Sequence, residues 1–279
     1  MTQTIDVAGG RIHYETMGHG PRSVVCLHGN SSAAGAFRPL AAALGEAFTL
    51  HLLDFPGHGG SEGGEVFRAA YSFQGLKEIL LQWLDRLDLR PEGIIGHSMG
   101  GHIAAQAARD IPSLRFLVLL SSPPIAGVEG VARFFRPTAP TADVFAETLD
   151  DTAIDRLVVA FTHAGFDPAR AAAVAARIRA TDGVFRDALG KSLAGADVVD
   201  EAAALAEAGD LELLLVGGER DGFIRPDYFD WVATRLPHRR KSLLVLPESG
   251  HSPHLEATAK TADAILARFG GAELDRPAA

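Results

Sequence analysis

The sequence predicts an α/β fold in which a mostly parallel sheet carries helices on both faces and a helical segment is inserted after the sixth strand. Three observations carry that prediction. Short apolar runs alternate with longer amphipathic ones along the 279 residues. The apolar runs are continuous rather than alternating, as strands covered on both faces require. Residues 123–207 break the rhythm, with helical patterns and no convincing buried strand.

In order, "TIDV" and "RIHYET" flank Ala8-Gly9-Gly10 and read as a hairpin. "SVVCL", "FTLHLLD", "GIIGH" and "LRFLVLL" follow as buried strands, and "LELLLVG" and "KSLLVL" complete the set late in the chain. Between them, residues 71–88 show Phe73, Leu76, Leu80, Trp83, Leu84 and Leu87 at helical spacing, with Pro91 after the end. Alanine-rich helices are expected over 33–44 and 101–109, and a last one near 256–268. "SSPPIAGVEG" is a turn-rich exit from the strand ending near Leu120, and "DPARAAAVAARIRA" typifies the helical insertion. The expected organisation is a core of residues 1–122 and 208–279 with a cap of 123–207.

Composition narrows the function classes. Hydrophobic residues make up 47% and charged residues 22%, ordinary for a globular protein with one large core. A net charge of −9 without a lysine–arginine cluster argues against nucleic acid or an anionic membrane surface as partner. The most basic stretch, Arg239-Arg240-Lys241, reads as a short solvated edge. The one cysteine, Cys26, cannot form an internal disulfide and reads as a small buried hydrophobe. Neither a signal peptide nor a membrane-spanning run is evident, so a cytoplasmic location is expected.

"GHSMGG" at 96–101 matches G-x-S-x-G between a strand and a helix. Such a turn forces a strained backbone on Ser98, lifts its hydroxyl clear of the sheet edge and leaves flanking positions no room for side chains. A serine hydroxyl is a weak nucleophile and needs a base, which in turn needs an orienting acid. Of the 11 histidines, His251 follows the last apolar strand in "LLVLPESGHSPHLE", with His254 as its competitor. His28, His58 and His97 sit in tight turns and read as local hydrogen-bonding residues. The acid is expected in "LLLVGGERDGFIRP" as Asp221, with Glu219 as the alternative. Loops after parallel strands gather at one edge, so these segments are expected to meet there. For an oxyanion, the Met99 N–H is one donor and the Asn30 N–H in "CLHGNSS" the other, with Gly29 allowing close backbone approach. The Asn30 side chain is a further candidate contact for a substrate carbonyl, or else a plain turn residue.

With "HGN", "DFPGHGGS", "GHSMGG", "GERDGFI" and "SGHSPHLE" in place, the chain resembles the α/β-hydrolase superfamily in its serine-nucleophile branch. The resemblance implies an eight-stranded, mostly parallel sheet with a helical cap after strand six. It implies acyl transfer to water with neither metal nor organic cofactor. A finer resemblance, in "HGNSS", "YSFQG", "GGHIAA", "SSPPIA", "RATDG" and "SGHSPHLEA", is to N-acyl-homoserine lactonases of the α/β-hydrolase type. It implies that Ser98, His251 and Asp221 open a lactone ring with Asn30 and Met99 at the oxyanion. The partner is then a small-molecule ester or lactone. Phe134, Phe135, Phe145, Phe161 and Phe166 could wall an acyl pocket or fill the cap core. Three other readings share the scaffold: a carboxylesterase of small or aromatic esters, a carbon–carbon bond hydrolase using Arg133, Arg136 or Arg156 to hold a dienoate carboxylate, and a non-catalytic ligand receptor.

Overall fold

The computed structural model describes residues 2–193, 199–236 and 241–271, so positions 239 and 240 of the basic stretch lie outside the described residues. Eight strands form one sheet: β1 (Thr2–Val7), β2 (Gly10–Met17), β3 (Arg22–Leu27), β4 (Phe48–Leu53), β5 (Gly93–His97), β6 (Phe116–Leu120), β7 (Glu212–Gly218) and β8 (Lys241–Leu246). Their order is β1-β2-β4-β3-β5-β6-β7-β8. β1 and β2 pair antiparallel, β2 pairs antiparallel with β4, and every later pairing is parallel. This is the expected sheet, including the hairpin at its edge.

The continuous apolar runs follow from double coverage. In β3, Val25 and Leu27 join the core on one face, and Val24 and Cys26 join the core on the other. β6 divides likewise, with Leu117 and Leu119 on one side and Val118 and Leu120 on the other. Helices α1 (Arg38–Leu44), entered by a 3-10 turn at Ala34–Phe37, and α12 (Thr258–Phe269) cover the second face. The first face is covered by α2 (Phe73–Arg86), α3 (Met99–Ala107) and α10 (Pro226–Ala233). The helix of "YSFQG" starts where it does because Ser72 caps it, its Oγ accepting the Gly75 N–H at 3.0 Å. Cys26 is a free, buried thiol, and burial pushes its pKa up, away from thiolate chemistry.

After β6 the chain runs through α4 (Gly127–Phe134), α5 (Thr141–Val144), α6 (Asp151–Phe161), α7 (Pro168–Ala180), α8 (Gly183–Leu193) and α9 (Glu201–Glu207) before β7. Aspartates start three of them: Asp150, Asp167 and Asp200 accept the N–H of Ala153, Arg170 and Ala203. α9 packs on α3, where Glu201 meets His102 and Gln106, and so belongs with the layer against the sheet. Between β6 and β7 there is no strand among the described residues; Phe135 makes only an isolated bridge to Ile224, beyond β7. A short helix, α11 (Pro253–Glu256), completes the chain before α12. No helix among the described residues is long and apolar enough to cross a membrane.

The parallel register fixes the site. Leu27 pairs with Gly96, His97 with Leu120, Leu120 with Val216 and Gly218 with Leu246. The segments that follow β3, β5, β7 and β8 therefore leave the sheet at one edge, close to the place where strand order reverses around β3 and β5.

Candidate active site

Ser98 stands between β5 and α3 with φ 50° and ψ −123°, a left-handed backbone that costs a serine on the order of 1–3 kcal/mol. The turn is held from outside: the Ser98 N–H donates to the Leu120 carbonyl at 2.9 Å. A Cβ on Gly96 would come within 2.5 Å of the Gly101 Cα, and one on Gly100 within 2.3 Å of the Leu27 carbonyl oxygen. The two glycines are thus demanded by backbone packed on backbone. Gly29 is demanded by the same turn, since a Cβ there would lie 2.9 Å from His97 Nδ1 and 3.1 Å from Ser98 Cβ.

The three distant segments meet. Ser98 Oγ and His251 Nε2 are 2.9 Å apart, and His251 Nδ1 is 2.9 Å from both carboxylate oxygens of Asp221. Asp221 Oδ1 also accepts the Phe223 and Ile224 N–H groups at 2.8 and 2.9 Å. Asp221 and His251 are each 2% exposed. Burial pushes the Asp221 carboxyl up, but the adjacent His251 and the two backbone donors outweigh it and hold the carboxyl below its ordinary range. An acceptor-only carboxylate fixes the proton of His251 on Nδ1, leaving Nε2 to accept from the serine hydroxyl.

The alternative residues stand elsewhere or make other contacts. Glu219 is exposed beyond the end of β7. His254 is buried and stacked on Phe37, ring centroids 4.8 Å apart. His97 donates from Nε2 to the His251 carbonyl at 2.7 Å and so steadies the loop that carries His251. His28 accepts the Phe55 N–H and His58 accepts the Ser31 N–H, each through Nε2, while their Nδ1 groups donate to the Gly29 and Pro56 carbonyls.

These four rings are buried, and burial above all lowers their pKa, in His97 to about 3 and in His58 and His254 to well below the ordinary value, with His28 shifted the same way. Below pH 6.5 the unfolded chain therefore binds protons that the folded chain refuses, and stability falls as pH falls. The loss begins below pH 6.5 and ends as each ring reaches its own lowered folded-state value. Thermal melts are expected to show a Tm that drops steeply between about pH 6.5 and pH 4. A Tm unchanged across that range contradicts four buried neutral imidazoles.

Two residues that the sequence patterns did not single out shape the site. Glu256, whose side chain is 1% exposed, accepts the N–H of Gly250 and of Ser252 at 2.9 and 3.0 Å, clamping the backbone on both sides of His251, and it also meets His163 Nδ1 at 2.6 Å. The only local signal was a carboxylate five residues after the histidine in "SGHSPHLE". The second is His102, which faces the cavity described next. Asn30 differs from the substrate-contact expectation: its Nδ2 donates to the Val144 carbonyl at 2.9 Å and its Oδ1 accepts from Ser31 Oγ. Its side chain ties the loop after β3 to α5, and its backbone N–H remains the candidate oxyanion donor. The Met99 N–H is the first of α3 and has no acceptor within that helix.

A cavity of about 340 Å³ opens over Ser98 and His251. Phe134, Phe135, Phe145 and Phe161 wall it together with Phe73 and Phe223. Phe166 does not; it lies against His163 and under the Arg170 guanidinium. The three cap arginines are engaged elsewhere, Arg133 with Glu129, Arg156 with Asp143 and Arg136 with the Ile224 carbonyl, and none lines the cavity. Among the described residues no three His, Cys, Asp or Glu side chains are grouped to hold a metal ion.

The alpha/beta hydrolase family model matches residues 24–264. The chain belongs to the alpha/beta hydrolase family. This hydrolase is 30% identical over 254 residues to a pimeloyl-[acyl-carrier protein] methyl ester esterase of Nitrosomonas europaea, covering 88% of this chain and 94% of that one. It is 27% identical over 269 residues to the enzyme of the same name from Xanthomonas campestris pv. campestris, covering 91% and 97%. In structure it resembles a mutant of the N-acyl homoserine lactonase AidH in complex with N-hexanoyl homoserine, with a TM-score of 0.87 at 22% identity over 100% of this chain and 99% of that one. At that identity the likeness speaks for the fold alone.

Proposed function

We infer that this hydrolase transfers the acyl group of a carboxylic ester or lactone to water, with Ser98 as nucleophile, His251 as base and Asp221 as orienting acid. The observation that carries the reading is the Ser98–His251–Asp221 hydrogen-bond relay at the floor of an apolar cavity. Ser98 Oγ attacks the substrate carbonyl carbon while its proton passes to His251 Nε2. The oxyanion that forms is met by the Met99 and Asn30 N–H groups, where losing one donor costs about 2.7–4 kcal/mol. The carbon–oxygen bond to the leaving alkoxide then breaks, and the alkoxide takes the proton back from His251. In a lactone the released hydroxyl stays attached to the acyl-enzyme. Water, deprotonated by His251, attacks the acyl carbonyl, and Ser98 leaves with the proton restored.

Within this chemistry the reading favoured is ring opening of N-acyl-homoserine lactones, the quorum-quenching reaction. The family motifs in "HGNSS", "GGHIAA" and "SGHSPHLEA" support it, as does the apolar, phenylalanine-lined cavity, which suits an acyl tail. The second reading is hydrolysis of simple or acyl methyl esters, favoured by the two curated relatives. A dienoate carbon–carbon hydrolase is disfavoured because the cap arginines point to other partners. A pH-stat comparison of N-hexanoyl-homoserine lactone with methyl and p-nitrophenyl hexanoate decides between the first two. The expected result is a higher kcat/KM on the lactone than on the methyl ester. A preference for the simple esters by orders of magnitude removes the lactonase reading and leaves the esterase one.

A further inference from the structure

The relay accounts for Ser98 and His251, and the Asn30 side chain is committed to Val144 and Ser31. One strongly polar cavity-lining side chain then remains without a role. His102 is 7% exposed and lines the cavity one helical turn after Ser98, its own N–H donating to the Ser98 carbonyl at 3.2 Å. Its ring lies between Phe134 and Phe73, at centroid distances of 5.3 and 6.3 Å.

Behind the ring sits Glu201, 1% exposed. Its Oε2 accepts from His102 Nδ1 at 2.8 Å and from the Ile125 N–H at 2.9 Å, and its Oε1 accepts from Gln106 Nε2 at 2.8 Å. Every partner of this carboxylate other than the imidazole is a donor, so the imidazole donates as well and its proton is on Nδ1. Nε2, on the ring edge away from Glu201, makes no hydrogen bond to the described residues, and the residue lines the cavity. In the neutral ring it is an acceptor, fixed in direction by a buried carboxylate and set among aromatic walls. An acceptor so placed favours a ligand that brings a donor, because a ligand without one leaves it desolvated and unpaired.

We propose that His102, positioned by Glu201, accepts a hydrogen bond from an N–H on the acyl portion of the substrate, so that the cavity selects N-acylated substrates over plain alkyl ones. This rests on the hydrolase reading above and not on the lactone ring.

The test compares three ethyl esters by pH-stat: ethyl N-butanoylglycinate, its N-methyl analogue, and ethyl heptanoate, which replaces the amide by methylenes. The wild-type protein is expected to prefer the N–H ester over both by roughly tenfold in kcat/KM. In His102→Leu that ratio is expected to fall to near one, and in His102→Gln, whose amide oxygen restores an acceptor, to recover in part. A wild-type ratio near one overturns the proposal without any variant being needed. An equal loss on all three esters in His102→Leu makes His102 a structural residue and also overturns it. Monoethyl adipate is assayed as a fourth ester: a preference for it over ethyl heptanoate marks a charged ring that donates to a carboxylate and overturns the acceptor assignment. Homoserine lactone is absent from the comparison, so failure of the lactonase reading leaves this test intact.

Discussion

Replacing Ser98 or His251 with alanine is expected to lower kcat on any ester or lactone substrate by roughly 10⁴- to 10⁶-fold. The two groups act as one unit: without the imidazole the hydroxyl has no base, and without the hydroxyl the imidazole has no nucleophile to activate. The double variant is therefore expected to be scarcely worse than either single one, with the residual rate coming from binding and the oxyanion donors. Folding should survive. Ser98 lies at a positive φ that alanine tolerates no worse than serine, and the neighbours that hold the turn, the Leu120 carbonyl and Gly96, are untouched. Circular dichroism and kcat measured on the same samples separate the two effects. A folded Ser98→Ala protein with near-normal turnover contradicts the account.

Asp221→Asn is expected to cost roughly 10⁴-fold in kcat with little loss of stability. Asp221 Oδ1 already receives two backbone N–H groups, from Phe223 and Ile224. An asparagine keeps those bonds through its own oxygen, which turns its amide nitrogen toward His251 Nδ1. That nitrogen donates, so the imidazole proton is driven to Nε2 and the ring can no longer accept from Ser98. Asp221→Ala behaves differently, because it leaves the two N–H groups buried and unpaired at about 1–3 kcal/mol each. Loss of activity without loss of stability in Asp221→Asn, and loss of both in Asp221→Ala, identifies the acid. Unchanged kcat in Asp221→Asn shifts that role to another carboxylate.

What could be read from the sequence is what local pattern encodes. β3 and β6 are runs of apolar residues long enough to announce themselves, because each buries both alternating sets of side chains. The turn at Ser98 was legible because a left-handed residue flanked by backbone contacts tolerates only glycine at Gly96 and Gly100. That His251 and Asp221 come to the same edge as Ser98 was legible from position alone, since both stand just after late strands in a parallel sheet. Long-range choices were not legible. The bond from Asn30 to the Val144 carbonyl and that from His102 to Glu201 join residues 114 and 99 positions apart, and nothing near either residue in sequence specifies the partner. Helix ends moved for local reasons: the helix expected from 101 begins at Met99, because Ser98 itself turns the chain into it. The attachment of α9 to α3 likewise depends on Glu201 finding His102 and Gln106 across the fold.

The central claim is that the Ser98 hydroxyl is the nucleophile. The most direct test treats the native protein with a fluorophosphonate, digests it and locates the adduct by mass spectrometry. The account predicts one phosphonyl group on the peptide that contains Ser98, absent from Ser98→Ala and strongly slowed in His251→Ala. No adduct on a folded, ester-hydrolysing protein, or an adduct on a different serine, contradicts it.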